Sequence, residues 1–145
     1  MEHNKLIYFS LALLLLLSCR SKQIILPPMV ISEYELTDFC DLPKNRNELV
    51  YTSAIYSGVD EYWSLKSAKC KELGTELEIP NDVIIDLKFK KLLDGVHKKH
   101  RDSYLIVDAI GEFEQGDKAG YGYLGRNNSK FVVKRIISIQ LVKKE

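Results

Sequence analysis

The chain predicts a mainly β fold, a small five-stranded OB-like Greek-key barrel with one helix between strands 3 and 4. Three observations carry that expectation. Short segments rich in Val, Ile, Tyr and Thr recur from residue 48 onward, the composition of half-buried strands. One stretch alone, 89–97, spaces its apolar residues as a helix does. Clusters of Gly, Pro, Asn and Asp separate these segments.

Taken in order, residues 32–42 suit a short helix, with Ser32 as N-cap and Glu35 completing a capping box. Pro43 and Asn45 then turn the chain. Residues 48–57 form the first strand, Gly58 opens a turn, and 61–66 return as a hairpin partner. Residues 76–79 make a third strand; Pro80, Asn81 and Asp82 interrupt it, and the β-branched run 83–87 resumes it. Phe89, Leu92, Leu93 and Val96 mark one face of the helix, which Gly95 weakens or ends. Residues 104–113 are the clearest central strand, with Leu105, Val107, Ala109 and Phe113 on one face. Residues 115–120 turn. Residues 131–141 close the domain, with the odd positions Phe131, Val133, Arg135, Ile137, Ile139 and Leu141 facing the core. Three strands, a helix and two strands is the order of an OB-fold, a partly open Greek-key barrel; an open β-sandwich is the competitor.

The N-terminus carries an address. Lys5 and the amino terminus precede an apolar run, 6–17, that ends in Leu16-Leu17-Ser18-Cys19. As a helix this run would reach about 18 Å, short of a hydrocarbon core of roughly 30 Å. Arg20 and Lys22 block its extension. The tetrapeptide resembles a lipobox, the cleavage and lipidation signal of bacterial lipoproteins. The expected organisation is a signal peptide at 1–18, a tether at 19–33 and one β-barrel domain at 34–145, with acyl chains on Cys19 as a durable membrane anchor. Pro27-Pro28 extends the tether, and its Ile, Leu, Met and Val residues make it apolar enough to pack on the domain or on lipid. Arg20-Ser21-Lys22 lacks an aspartate, which resembles lipoproteins sorted to the outer membrane; with no acidic run for surface display, a periplasm-facing position is expected.

Without residues 1–18 the chain keeps its formal charge of +1, too little to recruit nucleic acid or an acidic partner by its overall field. Beside Cys19 there are Cys40 and Cys70. In an oxidising compartment an even pair favours a disulfide, which across about thirty residues contributes roughly 3 kcal/mol. A metal pair or two buried thiols are the alternatives. The absence of a C-x-x-C spacing weighs against a redox motif or a zinc ribbon.

Asp38-Phe39-Cys40-Asp41-Leu42, the strand at 49–56, Glu61-Tyr62-Trp63-Ser64-Leu65 and Cys70 resemble small exported bacterial lipoproteins of unknown function with an OB-like barrel. The resemblance continues through 107–113, Gly122-Tyr123-Leu124-Gly125 and Phe131-Val132-Val133. It implies the barrel and a Cys40–Cys70 pairing, and no activity. Tyr123 stands where such proteins commonly carry histidine, so no acid–base or metal role is implied there.

Four groups of residues bear on chemistry. His97 and His100 sit three apart, within reach of one metal on a helix, but a zinc site normally takes a third protein ligand and none is indicated. No metal and no cofactor are expected. Residues 88–101 hold six Lys or Arg. Their spacing places them opposite the apolar helix face, which suits a solvated surface or anionic lipid contact rather than nucleic acid. Tyr121, Tyr123, Arg126 and Asn127 lie in a glycine-rich aromatic loop and, with Trp63, form the candidate binding surface for a protein or glycan partner in the envelope. Asp108, Glu112 and Glu114 share one strand face, and they are the carboxylates a small hydrolase would use; no nucleophile elbow accompanies them. The sequence therefore favours a membrane-anchored, non-catalytic binding or envelope-structural module.

Overall fold

A computed structural model describes residues 33–116 and 120–145. The expected signal peptide, Cys19 and the expected tether as far as residue 32 lie outside the described residues. Six strands, one α-helix and two 3-10 segments follow in order. They are β1 (Leu36–Thr37), a 3-10 helix (Phe39–Lys44), β2 (Leu49–Val59), β3 (Tyr62–Lys66), β4 (Thr75–Glu78), α1 (Leu87–Lys98), β5 (Ser103–Glu114), a 3-10 turn (Tyr123–Gly125) and β6 (Ser129–Lys143).

Strands β2, β3, β4, β6 and β5 form a closed five-stranded barrel, because β2 also pairs with β5. All barrel pairings are antiparallel except β4 with β6, which run parallel with Leu77 opposite Phe131. A parallel pair requires a crossover, and the connection between β4 and β6 carries α1. This is the OB-like arrangement, with the helix between the third and fourth barrel strands as expected.

Alternation builds the core. Val50, Thr52, Ala54 and Tyr56 of β2 point inward, as do Leu105, Val107, Ala109 and Phe113 of β5. Phe113, Phe131, Leu105, Val133 and Val96 are fully buried. Buried polar groups are paired: Thr75 Oγ1 and Ser129 Oγ lie 2.8 Å apart where β4 and β6 begin.

Four expectations need correction. The stretch before Pro43 is not a helix from Ser32, which lies outside the described residues. Leu36 and Thr37 instead pair in parallel with Tyr51 and Thr52, and the Thr52 hydroxyl donates to the Thr37 carbonyl at 2.9 Å. The helical segment starts only after Asp38, whose carboxylate caps Cys40 N–H at 3.0 Å. Residues 83–86 do not resume the third strand. Val83 N–H turns back onto the Pro80 carbonyl, and Asp86 N-caps α1, so the run serves as the lead-in to the helix. In β6 the odd positions do not stay inside. Register shifts between Asp108 and Ala109 and between Ile110 and Gly111 each give β6 an extra residue. The buried set therefore runs Phe131, Val133, Ile136, Ile139, and Leu141 is 42% exposed. Finally, the open β-sandwich is excluded by barrel closure.

Cys40 and Cys70 are disulfide-bonded, with Cα atoms 5.7 Å apart, tying the 3-10 helix to the β3–β4 connection. Lys69 Nζ and Asp38 Oδ2 meet at 2.7 Å on the same seam, and this pairing together with the Cys40 N–H holds the Asp38 carboxyl below its usual range. Replacing both cysteines with alanine is expected to lower stability by about 3 kcal/mol, read from chemical denaturation, with the m-value raised because the unlinked denatured chain exposes more surface.

Candidate functional site

The β2–β3 hairpin and the β5–β6 loop meet over the outer face of β3 and enclose an open groove of about 320 Å³. Tyr62, Lys66, Lys71, Tyr123, Arg126 and Asn128 are among its walls. Four of the five residues expected at a binding surface, Trp63, Tyr123, Arg126 and Asn127, line it.

The hairpin turns through Asp60 and Glu61, with Asp60 at φ 53°, a left-handed position that Asp tolerates. Trp63 Nε1 donates to the Asp60 carbonyl at 2.7 Å and locks the turn. Gly58 stands opposite Trp63, and a Cβ there would lie 2.8 Å from the indole, so only glycine leaves room for the ring. The indole then rests 5.1 Å from Tyr56 and 4.3 Å from His97. Trp63 shares the inward parity of Leu65, so its ring packs against the core. It supports the groove as scaffold rather than as the exposed contact the sequence suggested.

Exposed aromatic area comes instead from Tyr62 and Tyr123. Their rings meet edge to face at 5.3 Å, and the Arg126 guanidinium sits 4.5 Å over the Tyr62 ring. The Glu61 carboxylate hydrogen-bonds the Tyr123 phenol and pushes its pKa upward. Hairpin and loop are thus joined at the mouth of the groove.

The loop is held from beneath. Gly122, at φ 72°, turns its N–H onto Glu76 Oε2 at 2.8 Å. Asn127 is buried and donates from Nδ2 to the Trp63 carbonyl at 3.1 Å. Asn128 binds the connection after β3 twice, N–H to the Gly74 carbonyl and Nδ2 to the Glu72 carbonyl, both at 3.0 Å. Asn127 is therefore an internal clamp. Tyr121 does not line the groove: it pairs with Asn127 across the base of the loop, with Lys130 Nζ 5.8 Å from its ring. Leu124 crowns the loop at φ 54° and 76% exposure, a strained backbone bearing an unburied leucine.

Compared with protein-family models, with curated proteins and with solved structures, the chain matches none.

The remaining candidates lie elsewhere. Asp108 accepts from Ser138 Oγ, Glu112 pairs with Lys134 at 3.3 Å, and Glu114 shares Lys130 with Glu78. Each carboxylate thus has its own partner. His97 and His100 diverge: His97 Nε2 lies 3.2 Å from the Tyr56 hydroxyl, whereas His100 Nδ1 faces the His97 carbonyl. Among the described residues no group of three or more His, Cys, Asp and Glu gathers as a metal site, and no helix is long and apolar enough to cross a membrane.

Sequence reasoning missed Tyr62, Lys66, Lys71 and Glu72 as groove residues. The cations flanking Cys70 were the available signal, but only the fold of the β3–β4 connection brings them beside the loop.

Tyr56 and His97 form a titrating pair under Trp63. Burial and the Glu76 charge raise the Tyr56 phenol to about 12, so it stays protonated where it hydrogen-bonds His97 Nε2. Desolvation lowers the His97 pKa from its usual 6.5, partly opposed by the Asp94 carboxylate. Below pH 6.5 the unfolded chain takes up the proton first. The contribution of this residue is therefore complete above that value and is lost as pH falls through the folded value. Stability measured from about pH 7 down to about pH 5 is expected to fall more steeply for the native chain than for His97→Phe; parallel profiles would refute the assignment.

Proposed function

We propose that this chain is a non-catalytic binding module of the bacterial envelope, anchored through Cys19, whose groove takes a glycan bearing acidic groups. The observation that carries the reading is the preformed combination of two exposed tyrosines with three cations. Tyr62 and Tyr123 offer faces and edges on which sugar rings stack, and Arg126 is already fixed over one of them. Lys66, Lys71 and Arg126 outnumber the single carboxylate lining the groove, Glu72. Asn128 adds an amide at the rim. A rigid mouth lowers the ordering entropy a ligand must offset. The face of the second and third barrel strands, with the loops that correspond here to the β2–β3 hairpin and the β5–β6 loop, is also where OB-type barrels commonly receive oligonucleotides and oligosaccharides.

The anchor rests on Leu16-Leu17-Ser18-Cys19 and on the short apolar run before it. Attachment there places the groove among the polymers of the envelope, most simply on the periplasmic side of the outer membrane. It also accounts for the oxidised Cys40–Cys70 pair, which needs an oxidising compartment.

Titration calorimetry with soluble cell-wall glycan fragments tests the groove. Binding is expected for fragments carrying carboxylates and not for neutral oligosaccharides of equal length. Tyr123→Ala and Arg126→Ala should each weaken it roughly tenfold or more, the loss typical of a central aromatic or Arg contact. Equal affinity of native chain and variants would overturn this site, and binding of an envelope protein with the same sensitivity would replace the glycan with a protein ligand.

The anchor has its own check. Mass spectrometry of the N-terminal peptide from membranes is expected to show an acylated Cys19, and Cys19→Ser should release the chain in soluble form. An intact residue 1–18 segment on the membrane-bound chain would sink the lipoprotein reading.

A further inference from the structure

We infer that the outward face of α1 is a contact surface for an anionic lipid leaflet, distinct from the groove. The inward face is accounted for: Val96 is fully buried, and Phe89, Leu92 and Leu93 pack against the core. At 100° per residue the opposite stripe carries Leu87, Lys91, Asp94 and Lys98, with Lys88 and Lys90 at its sides. Two aliphatic side chains stand unburied at its start, Ile84 at 76% and Leu87 at 66% exposure. Together with Leu124 at the loop tip they include the most exposed large hydrophobics of the described residues.

The surrounding charge is predominantly positive. Residues 84–101 hold six Lys or Arg against two carboxylates, Asp86 and Asp94, and Asp86 is committed to capping Lys88 N–H. Among the described residues none of the six cations enters an ion pair. Lys144 adds a further ammonium at the end of the helix, where it donates to the His100 carbonyl at 2.7 Å.

Exposed aliphatic residues ringed by lysines match the chemistry of a bilayer interface. Ile84 and Leu87 can enter the acyl boundary while the lysine stems follow them and keep their ammonium groups among phosphates. A cation near an anionic leaflet adds roughly fivefold to partitioning, so the attraction is carried by several lysines together and is screened by salt. The inference does not need the Cys19 anchor, although an anchor would hold the domain at such a surface.

The test uses the full chain on vesicles of phosphatidylcholine alone and on vesicles that also contain phosphatidylglycerol. Hydroxyl-radical oxidation of Ile84 and Leu87, read by mass spectrometry, reports their access to water. Protection is expected on the anionic vesicles only and should vanish at high salt. Lys88→Glu/Lys91→Glu/Lys98→Glu should abolish it, with Tyr62 and Tyr123 oxidised as in the native chain. Ile84→Ser/Leu87→Ser supplies a second variant with the lysines intact, and it should lower partitioning onto anionic vesicles. Equal oxidation of Ile84 and Leu87 on both vesicle types would overturn the inference while leaving the anchor standing if the chain stays vesicle-bound. A chain that floats free of both overturns the inference and the anchor together. Protection that survives the charge reversal also overturns it.

Discussion

Closure of the sheet through β2 is the constraint on which the rest depends. Residues Leu49–Tyr56 pair with β5, and Ile55–Val59 pair with β3, so Ile55 and Tyr56 are bonded on both sides. A strand that serves two partners in turn must bend, and Gly58 just beyond the shared residues admits the Trp63 ring. The parallel β4–β6 pairing completes the circuit and obliges the chain to cross over through α1. Among the described residues the barrel then has only the short β1 as an added edge, which limits the unpaired backbone available for aggregation.

The candidate site follows from this closure. Its floor is β3, and its walls are the two connections that closure brings together, the β2–β3 hairpin and the β5–β6 loop. Glu76 and Asn127 bind the loop to the barrel from below, while Tyr62, Tyr123, Glu61 and Arg126 join it to the hairpin above. Polar contacts in the loop are thereby spent on rigidity, and the aromatic and cationic groups remain available to a ligand. Trp63 and His97 couple the underside of the same site to α1, so the His97 titration acts on packing beneath the groove rather than in it.

Much of this was legible from local pattern. Strand alternation in β2 and β5 depends on which side chains can leave water, and that is a property of composition and spacing. The order of three strands, helix and two strands followed from the same rule. The β6 bulges were not legible, because an extra residue is accommodated only against the particular register of β5. Nor was the fate of residues 36–37, whose strand exists only because β2 offers a bonding edge.

The sequence by itself determined the barrel class, the position of the helix and the residue types of the candidate surface. These depend on short-range periodicity and on motifs read within a few residues. Only the tertiary structure decided the roles inside that surface. Trp63 turned inward because it shares parity with Leu65, Asn127 became a clamp because the Trp63 carbonyl faces it, and Tyr62 moved to the rim beside Tyr123. Contacts between residues about sixty positions apart depend on chain closure, and no local spacing encodes them.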